Sequence, residues 1–421
     1  MRRSIALIGS VIIAAAIPLG AQSADPSILI GANSIEYAGG SPPNCFGPSV
    51  LYDYGQSAAR HRVQAQLAAM AASGLDSLRV FFVFDYDVSE NQYFVPARTG
   101  QLEEPFKSNL INYLRDIKAA GFRRVTLAFD PRYSADPGHR FGPYDPTTFE
   151  ASWGLIRDTQ PLLKQYGPSD SRVDLLNEGA PFLPGPDARI DWVQKAYGRY
   201  VDAFGANDVT VSAAIGSSVS GLVQVLQGTG KPLPKWFDLH PRYEYTTSLD
   251  DLRRWDAELT TAGATQQTLV IGEVKYNDPD AARAVAEFAQ EAQHHVEEVM
   301  EFPAITNGVG GQSQCIDPPY RIDAYALALR GSAPLIRLTA TISDKATTLV
   351  TASGRRVTAL ESGKYTIVVN DNSRKRGITL NGPGVRRSTT ARYRGRTSWR
   401  ATFSPGTYTY GSQSFDVLTD R

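Results

Sequence analysis

The chain has 421 residues, 42% hydrophobic and 20% charged, with 43 Lys and Arg against 43 Asp and Glu, so its formal net charge is zero. That length exceeds one ordinary domain and suits a barrel of roughly 250–300 residues with a smaller module. A zero sum gives the chain as a whole no attraction to nucleic acid, but it hides two unequal parts: residues 24–330 carry 26 basic against 38 acidic side chains, net −12, and residues 331–421 carry 15 against 5, net +10.

In chain order, Arg2 and Arg3 precede an apolar stretch broken by Pro18 and followed by the small residues Ser23 and Ala24. This is the layout of a signal peptide over residues 1–24, so the mature protein is expected to be secreted or periplasmic. A membrane anchor is the competing reading, but the stretch is short for a span. The two cysteines, Cys45 and Cys315, are expected to form one disulfide in an exported chain, with free buried thiols as the alternative. From Ile28 to about Gly331, apolar β-branched runs alternate with helix-length amphipathic stretches. Strands are expected from near Ile28 (ILIGAN), Ser77 (SLRVFFVF), Arg124 (RVTLAFD), Arg172 (RVDLLNE), Asp208 (DVTVSAA), Trp236 (WFDLH), Thr268 (TLVIGE) and Phe302 (FPAITN). Helices are expected over Ser57 to Ser73, ending at Gly74, over Ser108 to Ala120, ending at Gly121, and from Asp278 through Met300. Eight such units, with no Gly-rich phosphate turn after the first strand, favour a (β/α)8 TIM barrel over 25–331 rather than an open doubly wound sheet. Closure would make the loops holding Cys45 and Cys315 neighbours. After Pro334 the pattern changes to short alternating runs (LIRLTATIS, YTIVVND, SWRATF, TYTYG) punctuated by turn residues, the mark of an all-β module over 332–421.

Chemistry in such a barrel sits at the carboxyl ends of the strands. Glu178 ends DLLNE after strand four, and Glu273 ends TLVIGE after strand seven. A carboxylate directly after a buried apolar run needs partners or a task, although a surface-loop glutamate is the plain alternative for either one alone. Asn-Glu at the end of strand four with a glutamate ending strand seven resembles glycoside hydrolase clan A, the retaining barrel enzymes that include cellulases, mannanases and β-galactosidases. The resemblance covers residues 28–331 as short motifs in order. It implies that Glu178 is the acid/base and Glu273 the nucleophile. It further implies that Arg79 hydrogen-bonds the nucleophile, that Asn177 contacts the sugar 2-hydroxyl, that His240 lies near the nucleophile and that Tyr243 or Tyr245 holds it. The clan's common Asn-Glu-Pro is Asn-Glu-Gly here, with Gly179, and no tryptophan ends strand eight.

The implied chemistry needs two carboxyl groups about 5–5.5 Å apart. Arg79 and a tyrosine would keep Glu273 ionised, and its charge would raise Glu178. Asn33, Glu36, Asp85, Tyr86, Asp130, Arg132 and Tyr276 are further strand-end candidates for contact with sugar, each weighed against core packing or a solvated loop. Arg132 and Arg242 could read an acidic sugar or act as counter-ions. His294 and His295 are expected on a helix surface, and no metal-ligand spacing appears, so no cofactor is expected. The C-terminal stretch resembles cupredoxin-like sandwich domains, yet residues 332–421 contain no His, Cys or Met, which removes a blue-copper site. Its +10 charge could meet an anionic glycan or cell surface, or could contact the acidic barrel. The expected protein is a monomeric retaining glycosidase acting on a poly- or oligosaccharide. A non-catalytic glycan-binding protein on a degenerate barrel and a transglycosylase are the alternatives.

Overall fold

The computed structural model describes residues 27–34, 50–87, 94–137, 144–182, 188–241, 249–302, 304–306, 313–315, 321–330, 336–351 and 356–418. Eight parallel strands form a closed barrel: β1 (Leu29–Ser34), β2 (Ser77–Asp85), β3 (Arg124–Arg132), β4 (Asp170–Asp174), β5 in two pieces (Val209–Thr210 and Ala213–Ala214), β6 (Trp236–His240), β7 (Thr268–Lys275) and β8 (Val296–Phe302). The first piece of β5 pairs with β4 (Val173 opposite Val209), the second pairs with β6 (Ala213 opposite Leu239), and β8 returns to β1 (Leu29 opposite Glu298), which completes the ring.

One main helix follows each strand: Ser57–Ala72, Phe106–Ala120, Pro146–Tyr166, Ala188–Phe204, Val219–Gln227, Leu249–Thr261, Pro279–Glu291 and Asp323–Arg330. Their ends follow local chemistry. Asp145 and Asp278 each accept a backbone N–H of the first turn ahead of a proline, and Ser218 accepts from Gly221 N. Gly74 and Gly121 stop their helices in the left-handed region at φ 93° and 96°, where a side chain would be strained.

Strand alternation decides what lies on each side of the barrel wall. Leu78, Val80, Phe82 and Phe84 of β2, with Val125, Leu127 and Phe129 of β3, join the apolar core shared with the helices. Most of the alternate positions of the same strands are polar and buried, Ser77, Arg79 and Asp85 on β2 and Arg124, Thr126 and Asp130 on β3, with Phe81, Val83 and Ala128 the apolar ones. Near the strand starts, Arg124 donates to Glu298 Oε2 at 3.0 Å and to Glu297 Oε1 at 2.6 Å. Arg172 donates to Glu297 Oε1 at 2.7 Å and lies 4.8 Å above the Trp236 ring. Trp236, Val270 and Met300 form a small apolar cluster of their own.

The eighth strand differs from the expectation. It runs over Val296–Phe302, ahead of FPAITN, and the preceding helix ends at Glu291 instead of continuing to Met300. Residues 304–306 pair antiparallel with 313–315 as a separate hairpin. The charged run HHVEEVME reads as helix surface by itself, but Glu298 is a fully buried strand residue whose carboxylate accepts from the distant Arg124, a pairing that local sequence does not display. His294, expected on a surface, is buried in the turn before β8; its Nδ1 lies 2.5 Å from Asp256 Oδ1 and its Nε2 meets the Ala264 carbonyl. His295 is exposed.

The C-terminal strands form two sheets. They are β9 (Ile336–Ile342), β10 (Thr347–Thr351), β11 (Ala359–Glu361), β12 (Gly363–Asp371), β13 (Thr379–Gly382), β14 (Val385–Ser388), β15 (Gly395–Phe403), β16 (Gly406–Tyr410) and β17 (Gln413–Leu418). One sheet has the order β10-β9-β12-β15 and the other β11-β17-β16-β13-β14. A core separate from that of the barrel, including Tyr365, Phe403, Tyr408 and Phe415, fills the module.

The Arg124–Glu298 pair yields a stability prediction. Glu298→Ala should cost about 3–5 kcal/mol in chemical denaturation, because it leaves Arg124 buried without one of its carboxylates, with Glu298→Gln costing less. A loss below 1 kcal/mol for the alanine variant would show that the pair does not hold the lower end of the barrel together.

Candidate active site

Arg79 occupies the centre of the upper barrel and is wholly buried. Its Nη2 donates to Asp174 Oδ2 on β4 and to Asn177 Oδ1, both at 2.7 Å. Its Nη1 lies 3.5 Å from Glu273 Oε1 and 3.3 Å from Asn33 Oδ1, and its Nε lies 3.3 Å from Asp238 Oδ2 on β6. Three carboxylates from three strands thus surround one guanidinium away from water, as an uncompensated buried cation requires.

From Asp174 the network reaches Glu178. Ser212 Oγ donates to Asp174 Oδ2 at 2.7 Å and accepts the Glu178 N–H at 2.7 Å, while Ser212 N donates to Asp174 Oδ1 at 3.1 Å. Glu178 has φ 53°, in the left-handed region that non-glycine residues seldom adopt. Its N–H bond to Ser212 is one of the contacts that hold it there; Arg189 Nη1 also donates to its carbonyl at 3.4 Å. The local strain therefore coincides with the residue whose carboxyl group turns into the site.

From Asp238 a second branch reaches both glutamates. His240 Nε2 is 3.4 Å from Asp238 Oδ1, and its Nδ1 is 3.5 Å from Glu273 Oε1 and 3.6 Å from Glu178 Oε1. One carboxylate oxygen of Glu178, one of Glu273 and a ring nitrogen of His240 all lie within 4.8 Å of one another. By type, those three side chains could also hold a metal ion. Gly272 makes the branch possible: a methyl there would fall 2.0 Å from Asp238 Oδ1 and 2.7 Å from His240 Nε2.

The two glutamates differ in exposure, with side chains 46% accessible for Glu178 and 6% for Glu273. Burial is the largest influence on Glu273 and pushes its carboxyl up to about 7, with His240 and Arg79 opposing and Glu178 and Asp238 adding to the rise. Burial also raises Glu178, but hydrogen bonding and attraction from His240, with Arg79 and Arg132 beyond, outweigh it and hold this carboxyl below its ordinary value. Burial lowers His240, yet the charges of Glu273 and Asp238 prevail and lift it to about 10. Asp174 is raised to about 6, chiefly by burial. The expected ionisation order of the two glutamates is thereby reversed. Arg79 makes its shortest contacts with Asp174 and Asn177; it lies as close to Glu273 Oε1 as His240 does, at 3.5 Å, while His240 also reaches Glu178 at 3.6 Å.

Other expected residues separate into groups. Asn33 is wholly buried and ties strands together, donating from Nδ2 to the carbonyls of Gly272 at 2.8 Å and Glu301 at 3.2 Å. The Tyr276 hydroxyl accepts the Arg321 N–H at 2.7 Å. Asp85 accepts from Ser134 Oγ at 2.5 Å, and Asp130 pairs with Arg132. Arg98 lies 5.4 Å over the half-buried Tyr86 ring. Glu36, Cys45, Arg242, Tyr243 and Tyr245 lie outside the described residues, as does the side chain of Cys315. Asp174, Ser212, Asp238 and Gly272 were not singled out from sequence. The available signal was an aspartate at an inward position of each of two apolar strands, RVDLL and WFDLH. Two aromatics at strand-end loops, Tyr133 and Phe182, are exposed at 38% and 44%; Tyr133 stacks on Phe94 and Phe182 lies under Arg189.

No protein-family model and no curated protein matches the chain. Among solved structures it is similar to a β-mannanase from the blue mussel Mytilus edulis, at 16% identity and TM-score 0.38 over 65% of this chain and 86% of that one. It is also similar to a GH30 endoxylanase from Clostridium papyrosolvens, at 11% identity and TM-score 0.39 over 80% and 90%. A third is the intracellular xylanase TsXylA from Thermoanaerobacterium saccharolyticum, at 11% identity and TM-score 0.43 over 72% and 95%.

Two outcomes follow from the network. Ser212→Ala should cost about 1–3 kcal/mol in denaturant unfolding, because it leaves the buried Glu178 N–H without its acceptor; an unchanged midpoint would show that the bond does not hold the turn. The second outcome concerns pH. Glu273 is raised from 4.5 to about 7, so its favourable contribution is complete below about 4.5 and is lost as pH climbs through 7. Asp174, raised to about 6, acts with the same sign. Stability should fall between pH 5 and pH 8, by as much as about 3 kcal/mol through Glu273, and Glu273→Gln should flatten much of that slope. A wild-type protein more stable at pH 8 than at pH 5 would contradict the assignment.

Proposed function

We propose that the protein is a retaining β-glycoside hydrolase acting on an oligo- or polysaccharide, with Glu273 as nucleophile and Glu178 as acid/base. The observation that supports this reading is the pair itself: carboxylate oxygens from the ends of β4 and β7 within 4.8 Å of each other, one side chain buried and one half-exposed. So close an approach of the nearest oxygens is in keeping with the roughly 5–5.5 Å separation of carboxyl groups in pairs where one attacks directly, against about 6.5–9.5 Å where a water lies between them.

In the first step a Glu273 oxygen bonds to the anomeric carbon while the bond from that carbon to the leaving oxygen breaks. The Glu178 proton passes to the leaving oxygen. In the second step Glu178 takes a proton from water, the water oxygen bonds to the anomeric carbon, and the ester bond to Glu273 breaks. Burial raises Glu273 while His240 holds Glu178 low, so without substrate the balance favours a proton on Glu273. Reaction needs the other tautomer. A sugar lying over the half-exposed Glu178 carboxyl would strip water from it and raise it, moving the proton where the leaving group needs it. Once Glu273 is esterified its charge is gone, while the His240 and Arg79 cations remain, which lowers Glu178 and suits it to act as base. We also assign the protein to the secreted or periplasmic space, on the layout of residues 1–24, and regard it as a monomer.

The test is chemical rescue. On an activated aryl β-glycoside, Glu273→Ala and Glu178→Ala should each lose on the order of 10²–10⁴-fold or more in kcat. Azide should restore both, giving the α-glycosyl azide with Glu273→Ala and the β-azide with Glu178→Ala. Exchanged stereochemistry would reverse the two roles, and unchanged turnover in Glu273→Ala would remove the proposal. Turnover that disappears on chelation with EDTA and returns with a divalent ion would instead favour a metal at Glu178, His240 and Glu273.

A further inference from the structure

The C-terminal module carries an unusual run of charge. Between Asp371 and Asp416 the sequence has no carboxylate and nine cations, of which six arginines (386, 387, 392, 394, 396 and 400) fall within fifteen residues. All six are exposed in the folded chain. They occupy one corner of the module, because β14 is the last strand of its sheet and β15 the last strand of the other, and Arg387 Nη2 reaches the Arg400 carbonyl at 3.5 Å.

The residues opposite these arginines supply no counter-charge, and the carboxylate that β12 does carry, Asp371, stands opposite Gly395, is buried and accepts from Ser373 N and Thr389 Oγ1. Arg396 and Arg400 lie opposite Asn370 and Thr366 on β12, and Arg386 and Arg387 lie opposite Asn381 and Leu380 on β13. Among the described residues, none of the six forms an ion pair with a carboxylate, whether of this module or of the acidic barrel. The contact with the barrel that the opposite charges could have made therefore does not, among the described residues, use these arginines. Charged side chains on an edge strand discourage edge-to-edge pairing. That role needs a charge or two per edge, and six arginines without an acid among them exceed it and carry a cost in self-repulsion.

We propose that this arginine corner is a docking surface for a linear carboxylate-bearing polysaccharide. Alternate residues of a strand recur about every 6.7 Å, so Arg396 and Arg400 stand roughly 13 Å apart along β15, with Arg386 and Arg387 beside them on β14. A row of that length suits a polymer with repeated anions better than a single small anion. Guanidinium groups match carboxylates with paired hydrogen bonds. The surface would hold polymer near the barrel and raise its local concentration there, and it does so whether or not the barrel cleaves that polymer.

The experiment uses the full chain carrying Glu273→Gln, so that binding is read without turnover. Polygalacturonate should bind with an affinity that falls steeply as salt rises, and its fully methyl-esterified form should not bind. Replacing Arg386, Arg387, Arg396 and Arg400 together by Ser should weaken binding at least tenfold with an unchanged thermal midpoint, while the four Lys replacements should retain most of it. Equal binding of the esterified polymer would overturn the proposal, as would affinity unaffected by the Ser variant. Tighter binding of duplex DNA of equal length would assign the surface to nucleic acid, and binding only to phosphatidylserine vesicles would assign it to a membrane. Because no outcome depends on hydrolysis, failure here leaves the reading of the glutamate pair untouched, and the converse also holds.

Discussion

A guanidinium wholly buried among the barrel strands is the constraint from which the upper half of this structure follows. Arg79 cannot lose its proton and is too deep to be hydrated, so its charge must be met by fixed groups. Asp174, Asp238 and Glu273 meet it from three strands. Each of these is then a buried carboxylate that needs further partners. Asp174 takes Ser212, which in turn accepts the backbone of Glu178. Asp238 takes His240, which becomes a cation facing both glutamates. Gly272 is confined to a bare backbone because the Asp238–His240 pair occupies the volume a side chain would need. The candidate catalytic pair is thus the outer edge of a network whose centre is an ion.

The two ends of the barrel use the same ingredients with different results. At the strand starts, Arg124 and Arg172 face Glu297, Glu298 and Asp170. Two cations and three carboxylates lie close enough for direct hydrogen bonds, with the Trp236 ring against one guanidinium. At the strand ends, Arg79 and His240 face four carboxyl groups, several of them beyond 3.3 Å. Burial raises Glu273 there while His240 lowers Glu178, and Glu178 is half-exposed. A lower layer whose ions bond one another directly serves stability. An upper layer that pushes one carboxyl group up and its accessible neighbour down has the kind of perturbed pair on which the proposed acid–base roles rest.

The barrel was legible in the sequence because seven of its strands are apolar runs closed by polar residues, and because glycines and Asp-Pro pairs mark the helix ends. The eighth strand was not. In VEEVMEF the buried positions include glutamates, and Glu297 and Glu298 find their counter-charges on arginines 125 and 174 residues away in sequence. The candidate site was legible at its visible ends: Glu178 after DLLN, Glu273 after TLVIG, with Arg79, Asn177 and His240 in strand order. What supports those ends was not. Asp174 and Asp238 look like interruptions of apolar strands until Arg79 is placed between them. Asn33 looked like a residue for substrate because it ends β1, yet its amide is engaged by two backbone carbonyls and Arg79. The expected ionisation order failed for a related reason: sequence places Arg79 near Glu273 but cannot show that its shortest contacts go to Asp174 and Asn177, nor how deeply Glu273 is buried.

The zero net charge of the chain is the sum of charges put to opposite uses. Many barrel carboxylates are engaged internally, at both ends of the strand ring and along the helices, whereas the arginines of β14 and β15 meet no carboxylate among the described residues. A polyanion approaching the barrel alone would meet the field of a −12 body and, at its mouth, the carboxyl groups around Glu178. Repulsion of that kind slows encounter and acts over about a Debye length, roughly 8–10 Å at physiological salt. Attachment at a basic module on the same chain replaces that encounter by an intramolecular one. Under the proposed function, carrying both charges on one chain would reconcile an acidic barrel, with a carboxyl pair at its mouth, with a polymer that the barrel by itself would repel.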